Sequence, residues 1–159
     1  MVEIKPIAEY QIEQAKQVVL SVSLEIWQGI ASEEDIRRID SMSDIHHVRS
    51  HYFDRNGLFL VLIDGDRVVG TGGIRYLSDE ICELKRMWFL KESRGQGYGR
   101  KMTHILFDFA KQAGYQKVRL DLASRDRQLQ AVRFYIKLGF YPIERYNDSI
   151  CQVFMEKVL

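Results

Sequence analysis

The chain has little cysteine or proline, almost no net charge and no long apolar run, and each shortage excludes a class of protein. Its 159 residues include 2 cysteines and 2 prolines. Cys82 and Cys151 lack C-x-x-C spacing and a secretory context, so we expect two reduced thiols in a cytoplasmic protein. No apolar run approaches the roughly 18 residues of a membrane span, and the N-terminal segment has no signal-peptide pattern, so we expect no membrane partner.

The composition is typical of a folded globular protein. Hydrophobic residues make up 46% of the chain and charged residues 28%, which argues against disorder. There is no internal repeat, no low-complexity segment and no linker rich in proline, glycine or serine. We therefore expect residues 1–159 to form one domain, long enough to bury a core without disulfide or metal support.

The near-neutral total conceals two segments of opposite charge. A formal net charge of +1 disfavours a general nucleic-acid-binding surface. Residues 1–40 nonetheless contain 4 basic and 8 acidic side chains, whereas residues 91–119 contain 7 basic and 2 acidic ones. The positive stretch predicts a local anion site rather than a basic surface.

Hydrophobic periodicity and turn residues predict alternating strands and helices in the first half. Alternation indicates a strand over Val2–Ile7, and helical spacing of apolar residues indicates a helix over about residues 11–27. Ser32 followed by three acids is typical of a cap, so a second helical stretch opens there. Apolar runs around Asp64-Gly65 predict a hairpin. Its two strands are Leu58–Ile63 and Arg67–Tyr76.

The second half alternates strands and helices in the same way. The predicted elements are a strand Ile81–Leu90, a glycine-rich turn Gly95–Gly99, a helix from Tyr98 that ends at Gly114, a strand Lys117–Leu122, a helix Arg127–Leu138, and closing strands Phe140–Tyr146 and Cys151–Val158. This order predicts a mixed α/β (α+β) fold with one central sheet flanked by helices.

The glycine-rich turn Arg94–Gly99 is built like a phosphate site. Backbone N–H groups at a helix start are unpaired donors at the positive end of the helix dipole, and glycines let an anion approach them. Arg100 and Lys101 add positive charge. A dinucleotide fingerprint is excluded because Met102 stands where its third glycine belongs, and a P-loop because Arg100 replaces its lysine. A plain tight turn is the alternative, and the basic flank favours the anion site.

Two motifs in this sequence resemble those of the GNAT superfamily of acyl-CoA-dependent N-acyltransferases. Arg94–Gly99 matches the family's cofactor motif [QR]-x-x-G-x-[GA], and Ala131–Phe140 is similar to its second motif, A-x-x-[FL]-Y-x-K-x-G-F. The strand Glu83–Phe89 resembles the family's central strand. The likeness is sharp over about residues 58–143. It implies a GNAT-like fold with a mostly antiparallel sheet that splays at the central strand, near Met87–Phe89, to admit acyl-CoA.

The resemblance also implies which residues contact acetyl-CoA as co-substrate, without a metal. The backbone of Met87 and Phe89 is expected to pair with the pantetheine arm, and the amides of residues 95–100 to hold the pyrophosphate. Many relatives carry Asn seven positions before the motif tyrosine, where this chain has Gln128. For Trp88 a place in the core is the alternative. The full set of expected cofactor contacts is Met87, Trp88, Phe89, Arg94, Gly95, Gln96, Gly97, Tyr98, Gly99, Arg100, Gln128, Phe134, Tyr135 and Lys137.

Tyr135 is the candidate general acid for the departing thiolate. A phenol with a pKa of about 10 stays protonated at neutral pH and can donate to a thiolate of pKa about 8.5. The resemblance implies that this tyrosine lies beside the cofactor sulfur. The alternative is that Tyr135 packs in the core with Val132 and Ile136, because an aromatic residue at helical spacing is often packing.

Glu83 is the candidate general base. A lysine-like amine has an unperturbed pKa of about 10.4, so attack at pH 7 needs a base or a desolvating pocket. Family members often use a carboxylate at this strand, and Glu80 is a second candidate. The alternative is a surface ion pair of Glu83 with Lys85 or Arg86. The N–H near Phe89 is the candidate oxyanion donor.

Three of the four histidines, His46, His47 and His51, fall within six residues. Their spacing admits a metal site, but no third ligand follows at a useful distance, which disfavours it. We expect this region to help line the acceptor pocket. Further candidates for that pocket are Trp27, Tyr52, Arg75 and Tyr76. Cys82 has no evident histidine partner, which favours packing over a nucleophile.

Together these features predict an acetyl-CoA-dependent N-acetyltransferase acting by direct attack in a ternary complex, because no acyl-carrying nucleophile stands out. The expected acceptor is a primary amine of a small molecule or a peptide, and the acidic residues 1–40 favour a cationic one. A nucleic-acid partner is not expected, and a homodimer is one assembly left open. The alternative function is a non-catalytic acyl-CoA-binding regulatory module.

Overall fold

The computed structural model describes all 159 residues and has one seven-stranded sheet with helices on both faces. The strand order is β1-β2-β3-β4-β5-β7-β6, and every neighbouring pair is antiparallel except β4 and β5. This mixed, mostly antiparallel sheet confirms the predicted fold class. The strands are β1 (Val2–Pro6), β2 (Leu58–Asp64), β3 (Arg67–Tyr76), β4 (Ile81–Phe89), β5 (Lys117–Leu122), β6 (Tyr141–Pro142) and β7 (Val153–Val158).

Six helices connect these strands. The helices are α1 (Ile12–Ile26), α2 (Glu33–Ile39), α3 (Ser43–His46), α4 (Val48–His51), α5 (Tyr98–Gln112) and α6 (Leu129–Lys137). The second helical stretch is thus three short helices. Ser32 caps α2 as predicted, because its hydroxyl accepts from the N–H of Asp35 at 3.2 Å and the Asp35 carboxylate accepts from the N–H of Ser32 at 2.9 Å. None of the helices has the length and apolar character needed to cross a membrane.

The prediction of a strand over Phe140–Tyr146 is largely wrong. Tyr141–Pro142 pairs with β7, and the chain then forms an irregular loop over residues 143–152, in which the N–H of Ile143 still donates to the carbonyl of Phe154 on β7 at 2.9 Å. Pro142 has no N–H to extend a ladder. Arg145 satisfies the loop carbonyls instead, since its guanidinium donates to the carbonyls of Ser149 and Cys151 at 2.6 and 2.7 Å.

Two apolar cores lie on opposite faces of the sheet. A cluster of 19 buried residues, which includes Leu84, Leu106 and Val132, joins the sheet to α5 and α6. A second cluster of 14 buried residues, which includes Val19 and Val61, joins the sheet to α1–α4. We call these the α5–α6 face and the α1–α4 face.

The sheet opens between its two parallel strands. β4 and β5 pair only from Ile81–Lys117 to Glu83–Arg119, so the remainder of each strand has no partner on that side. We call this gap the β4–β5 opening. The sequence placed the splay near Met87–Phe89, and the separation in fact begins directly after Glu83. The side chain of Glu83 therefore lies at the base of the opening.

Candidate active site

The glycine-rich loop offers unpaired backbone donors at the start of α5. The N–H groups of residues 95–100 donate to no backbone or side-chain acceptor of the chain. Gly95 and Gly97 have φ of 77° and 86°, and a Cβ added at either would meet no atom within 4 Å. Open space next to convergent donors at a helix N-terminus fits a phosphate group.

Arg94 is not a free cation beside this loop. Its guanidinium donates to both carboxylate oxygens of Glu25, at the end of α1, at 2.6 and 2.9 Å. Its Nε also donates to the carbonyl of Phe89 at 2.8 Å. The hydrogen bond from Arg94 lowers the pKa of Glu25. The predicted cofactor contact of Arg94 therefore has an internal competitor.

Three of the segments expected to hold the cofactor meet at Gly99. A Cβ added there would lie 3.7 Å from the rings of both Phe89 and Phe134. The end of β4, the glycine-rich loop and α6 are therefore neighbours. Among the other predicted contacts, Gln96 and Lys137 are exposed, while Tyr98 and Arg100 begin α5.

The end of β4 presents a backbone edge to the opening, on which the carbonyl of Phe89 already accepts from Arg94. The N–H of Leu90 donates to the carbonyl of Val69 on β3 at 2.9 Å. Alternation along an antiparallel strand then turns the peptide groups of Met87 and Phe89 away from β3, towards the unpaired side. Trp88 packs instead on the α1–α4 face, and its buried indole N–H has no partner.

Gln128 uses its amide oxygen within the protein. It is 6% exposed, and the oxygen accepts from the N–H groups of Ala123 and Ser124 at 2.9 and 3.2 Å. The longer side chain thus fastens the turn between β5 and α6.

Tyr135 packs in the core and also has an unpaired hydroxyl. Its side chain is 5% exposed and its ring packs edge-on against Phe134 and Phe140. Its hydroxyl nevertheless has no hydrogen-bond partner in the chain. Burial raises the pKa of Tyr135 above its ordinary value, so the phenol stays protonated at neutral pH.

Glu83 belongs to a row of alternating charges that crosses four strands. Arg75 on β3 is opposite Glu83, Glu83 is opposite Arg119 on β5, and Arg119 is opposite Glu156 on β7. Opposed residues point to the same face. The row is completed at the sheet edge by Tyr141, whose hydroxyl donates to Glu156.

Both carboxylate oxygens of Glu83 accept a hydrogen bond, but neither donor is Lys85 or Arg86, the ion-pair partners considered from the sequence. Oε1 accepts from Arg75 at 2.9 Å and Oε2 accepts from the hydroxyl of Tyr146 at 2.5 Å. Glu83 is 1% exposed, so the pair is buried rather than superficial. Lys85 and Arg86, the partners expected from sequence, pair with other acids. Burial and the hydrogen bond to Glu83 raise the pKa of Tyr146, so this phenol also stays protonated.

The 143–152 loop covers the same end of the sheet. Asn147 and Ser149 donate to the buried carboxylate of Asp121 at 2.8 and 3.0 Å. Asp121 also lies 3.8 Å from the ammonium of Lys85, across the opening. The sequence carries no local signal for these loop residues, because their partners are strand residues distant in the chain.

The expected acceptor-side residues separate into different places. Tyr52 is fully buried, and its hydroxyl donates to Asp44 at 2.7 Å, so Tyr52 lines no pocket. His46 and His47 line a groove of about 660 Å³ beside the end of β1, which shares no residue with the charge row. Trp27 lies against the guanidinium of Arg127 at 5.4 Å. Of the candidates, Arg75 alone contacts Glu83. Cys82 is a fully buried core residue, and burial raises its pKa to about 12.

Tyr135 and Glu83, the two candidate catalytic residues, lie on opposite faces of the sheet, and the β4–β5 opening connects those faces. Tyr135 belongs to the core of the α5–α6 face. Glu83 faces the other way, because its neighbours Cys82 and Leu84 both belong to that core. An acyl donor bound from the α5–α6 face and an amine entering from the α1–α4 face would therefore meet between β4 and β5.

Comparison with known proteins places this geometry in context. Residues 23–140 match the model of the acetyltransferase (GNAT) family. The uncharacterized N-acetyltransferase YjgM of Escherichia coli K12 is 28% identical over 132 residues, which cover 80% of this chain and 75% of YjgM. Human N-acetyltransferase 8B is 32% identical over 111 residues, 67% of this chain and 47% of that protein. The chain thus spans about half the length of that relative.

Solved structures share the fold. A GNAT-family acetyltransferase from Staphylococcus aureus Mu50 superposes with a TM-score of 0.85 at 20% identity, with 99% of each chain covered. The PaiA N-acetyltransferase of Thermoplasma acidophilum, solved in complex with coenzyme A, gives 0.82 at 23% identity, with 100% of this chain and 99% of that one covered.

Proposed function

The chain belongs to the acetyltransferase (GNAT) family and is an acetyl-CoA-dependent acyltransferase, and from this premise we propose that it acetylates a primary amine by direct attack in a ternary complex. The acceptor is a small molecule or a peptide. One observation carries the proposal: the β4–β5 opening has unpaired phosphate-type donors near one end and the buried carboxylate of Glu83 at its base.

The residues of this site fit the proposed co-substrate. The N–H groups of residues 95–100 would hold the pyrophosphate. The edge of Met87 and Phe89, of which the carbonyl of Phe89 is bonded to Arg94, would pair with the pantetheine amides through its remaining groups. Phe134 and Gly99 would border the arm, and Gln128 would act indirectly by fixing the β5–α6 turn. Acetyl-CoA supplies an acyl group activated as a thioester.

Glu83 is suited to accept the proton of the attacking amine. A carboxylate offers about four lone-pair sites, and Arg75 and Tyr146 use two of them. The two donors hold the carboxylate in one orientation at the base of the opening. An unused lone pair then accepts the proton, either directly or through a water.

Tyr135 is suited to donate a proton on the opposite face. The phenol is protonated at neutral pH, and although burial raises the pKa of Tyr135, the same apolar surroundings would raise the pKa of a thiol leaving beside it. Its hydroxyl has no partner in the chain and is available as a donor to a leaving thiolate. The N–H of Phe89 faces the same opening and would stabilise an oxyanion.

A screen of amines with detection of released thiol tests this function. The full chain is incubated with acetyl-CoA and a panel of small amines, amino acids and peptides. We expect thiol release with at least one amine, and a fall in kcat of about 100-fold in Tyr135→Phe and in Glu83→Gln, the lower range for general acid–base catalysis. Binding of acetyl-CoA without release for any amine would instead favour the non-catalytic regulatory module. Full turnover in both variants would refute the assigned roles.

A further inference from the structure

The central strand contains a backbone conformation that is unfavourable for the residue adopting it. Arg86 has a φ of 60°, in the left-handed region that a residue with a Cβ seldom occupies. The register of β3 against β4 shifts between Thr71 and Gly73, opposite this residue. Arg86 is therefore the extra residue of a β-bulge in β4.

The bulge changes which face the end of β4 presents. Before it, Leu84 packs on the α5–α6 face; after it, Met87 and Phe89 pack on that face and Trp88 packs on the other. Strict alternation from Leu84 would have given the α5–α6 face to Trp88. The one inserted residue thus decides how Met87–Phe89 meets the opening.

The Arg86 side chain is fixed by two carboxylates of the α1–α4 face. Nη1 and Nη2 donate to Asp40 at 2.5 and 2.9 Å, and Nε and Nη2 donate to Asp44 at 3.1 and 2.7 Å. Asp44, which is 7% exposed, also accepts from Tyr52. Burial alone would raise the pKa of Asp44, yet the hydrogen bonds and charge of Arg86 outweigh it and hold that pKa well below its usual range. We call Arg86, Asp40, Asp44 and Tyr52 the Arg86 clamp.

The facing strand completes this arrangement from the other side. The hydroxyl of Thr71 donates to the carbonyl of Arg86 at 2.6 Å. The ring of Tyr52 lies directly against β3, since a Cβ added at Gly73 would be 2.8 Å from it. The clamp therefore joins the α2–α3 segment to the bulge.

We propose that Arg86 is a positioning residue: held by Asp40 and Asp44, it fixes the bulge that turns the Met87–Phe89 edge towards the β4–β5 opening and the pantetheine arm. The proposal rests on the proposed function, because it needs a cofactor on that edge. The glycine-rich loop lies outside the clamp, so the nucleotide half of the cofactor is expected to bind independently of it.

Calorimetric titration of two ligands tests the clamp without knowledge of the acceptor. Coenzyme A carries the pantetheine arm, and 3′-phospho-ADP is its nucleotide half alone. The Kd for 3′-phospho-ADP divided by the Kd for coenzyme A therefore reports the contribution of the arm, and we call this quotient the ratio. Arg86→Gly removes the clamp and leaves a residue that adopts positive φ readily. We expect the ratio to fall at least tenfold in Arg86→Gly, while the Kd for 3′-phospho-ADP changes less than twofold. Arg86→Lys should restore part of the ratio.

Two further variants complete the design. Val19→Ala on α1 destabilises the same face without touching the clamp and should keep the wild-type ratio. Asp40→Asn, whose side chain is 33% exposed, removes one clamp partner more mildly and decides the question if Arg86→Gly does not fold. If Arg86→Gly keeps the wild-type ratio, the positioning role of Arg86 is refuted while the proposed function stands. The same holds for Asp40→Asn if Arg86→Gly does not fold. Failure of the wild-type protein to bind either ligand would refute the proposed cofactor site, and this proposal with it.

Discussion

At the scale of single residues, the geometry of Glu83 depends on donors from two distant parts of the chain. Arg75 lies on the neighbouring strand, whereas Tyr146 comes from the 143–152 loop. The Tyr146 ring is itself positioned by contact with Phe154, edge-on at 5.4 Å, and by the guanidinium of Arg119 at 5.2 Å. The orientation of Glu83 therefore depends on the loop as well as on the sheet.

Replacement of Tyr146 by phenylalanine tests this dependence. The change removes one charge-assisted hydrogen bond to Glu83 and keeps the ring packing. We expect kcat to fall about tenfold, with little change in the KM for acetyl-CoA. A tenfold fall corresponds to a loss of about 1.4 kcal/mol of transition-state stabilisation. Steady-state kinetics with the best amine of the panel measure it.

Tyr141→Phe is the matched control. Its hydroxyl also donates to an acid of the charge row, Glu156, but at the exposed edge of the sheet. We expect turnover within twofold of the wild-type value. Equal losses in the two variants would show that the whole row, rather than the contact at Glu83, supports the reaction.

Sequence reasoning identified Glu83 and Tyr135 as candidates, but it could not have identified Tyr146. Tyr135 lies in a motif with a fixed spacing, and Glu83 lies on the strand that resembles the family's central strand. Tyr146 lies 63 positions from Glu83, in a segment where apolar and polar residues alternate as in a strand. Its role arises only because Arg145 satisfies the loop carbonyls and the chain leaves the sheet after Pro142.

At the scale of elements, β3 contains three glycines that let its neighbours approach closely. A Cβ at Gly73 would lie 2.8 Å from the ring of Tyr52 and 2.9 Å from the ring of Phe59. A Cβ at Gly72 would lie 2.5 and 2.6 Å from the sulfur atoms of Met87 and Met102. The two overlaps are similar in size, but at Gly73 aromatic rings would have to move to admit a methyl group, whereas at Gly72 methionine side chains would.

We expect Gly73→Ala to destabilise the fold more than Gly72→Ala. The aromatic rings beside Gly73 are fully buried and cannot turn aside, so overpacking should cost about 2–3 kcal/mol in the free energy of unfolding. The thioethers beside Gly72 can rotate, so its cost should be about 1 kcal/mol. Urea denaturation of both variants measures the difference. The reverse order would show that the Tyr52 side of the sheet relaxes more easily than its burial indicates.

Periodicity predicted the elements best where each packs on one core. The hairpin β2–β3, strand β5 and helix α1 agree with prediction to within about two residues. The short helices α3 and α4 carry no such period, because their structure depends on burial of Ile45 and Tyr52 rather than on a helical pattern. The splay between β4 and β5 likewise follows from pairing between strands and could be located only approximately from sequence.

At the scale of the whole molecule, the two segments of opposite charge meet. Glu25 of residues 1–40 pairs with Arg94 of residues 91–119. Asp40 of the acidic segment pairs with Arg86, which lies on β4 just before the positive segment. Part of the negative charge of residues 1–40 is thus neutralised by ion pairs within the protein and does not attract a cationic amine. The positive charge beside the glycine-rich loop is correspondingly reduced.

This pairing predicts that removal of the Glu25 charge strengthens cofactor binding. In Glu25→Gln the guanidinium of Arg94 no longer neutralises a carboxylate and is available to a phosphate. An exposed ion pair contributes up to about 1 kcal/mol, so the affinity for coenzyme A should rise about fivefold, and less at high salt. Calorimetric titration at low and high ionic strength measures both effects. Glu33→Gln on α2, which removes an exposed pair with Arg37, is the control and should leave the affinity unchanged. A weaker affinity in Glu25→Gln would contradict the prediction, because it would mean that Glu25 holds Arg94 in the position a phosphate requires.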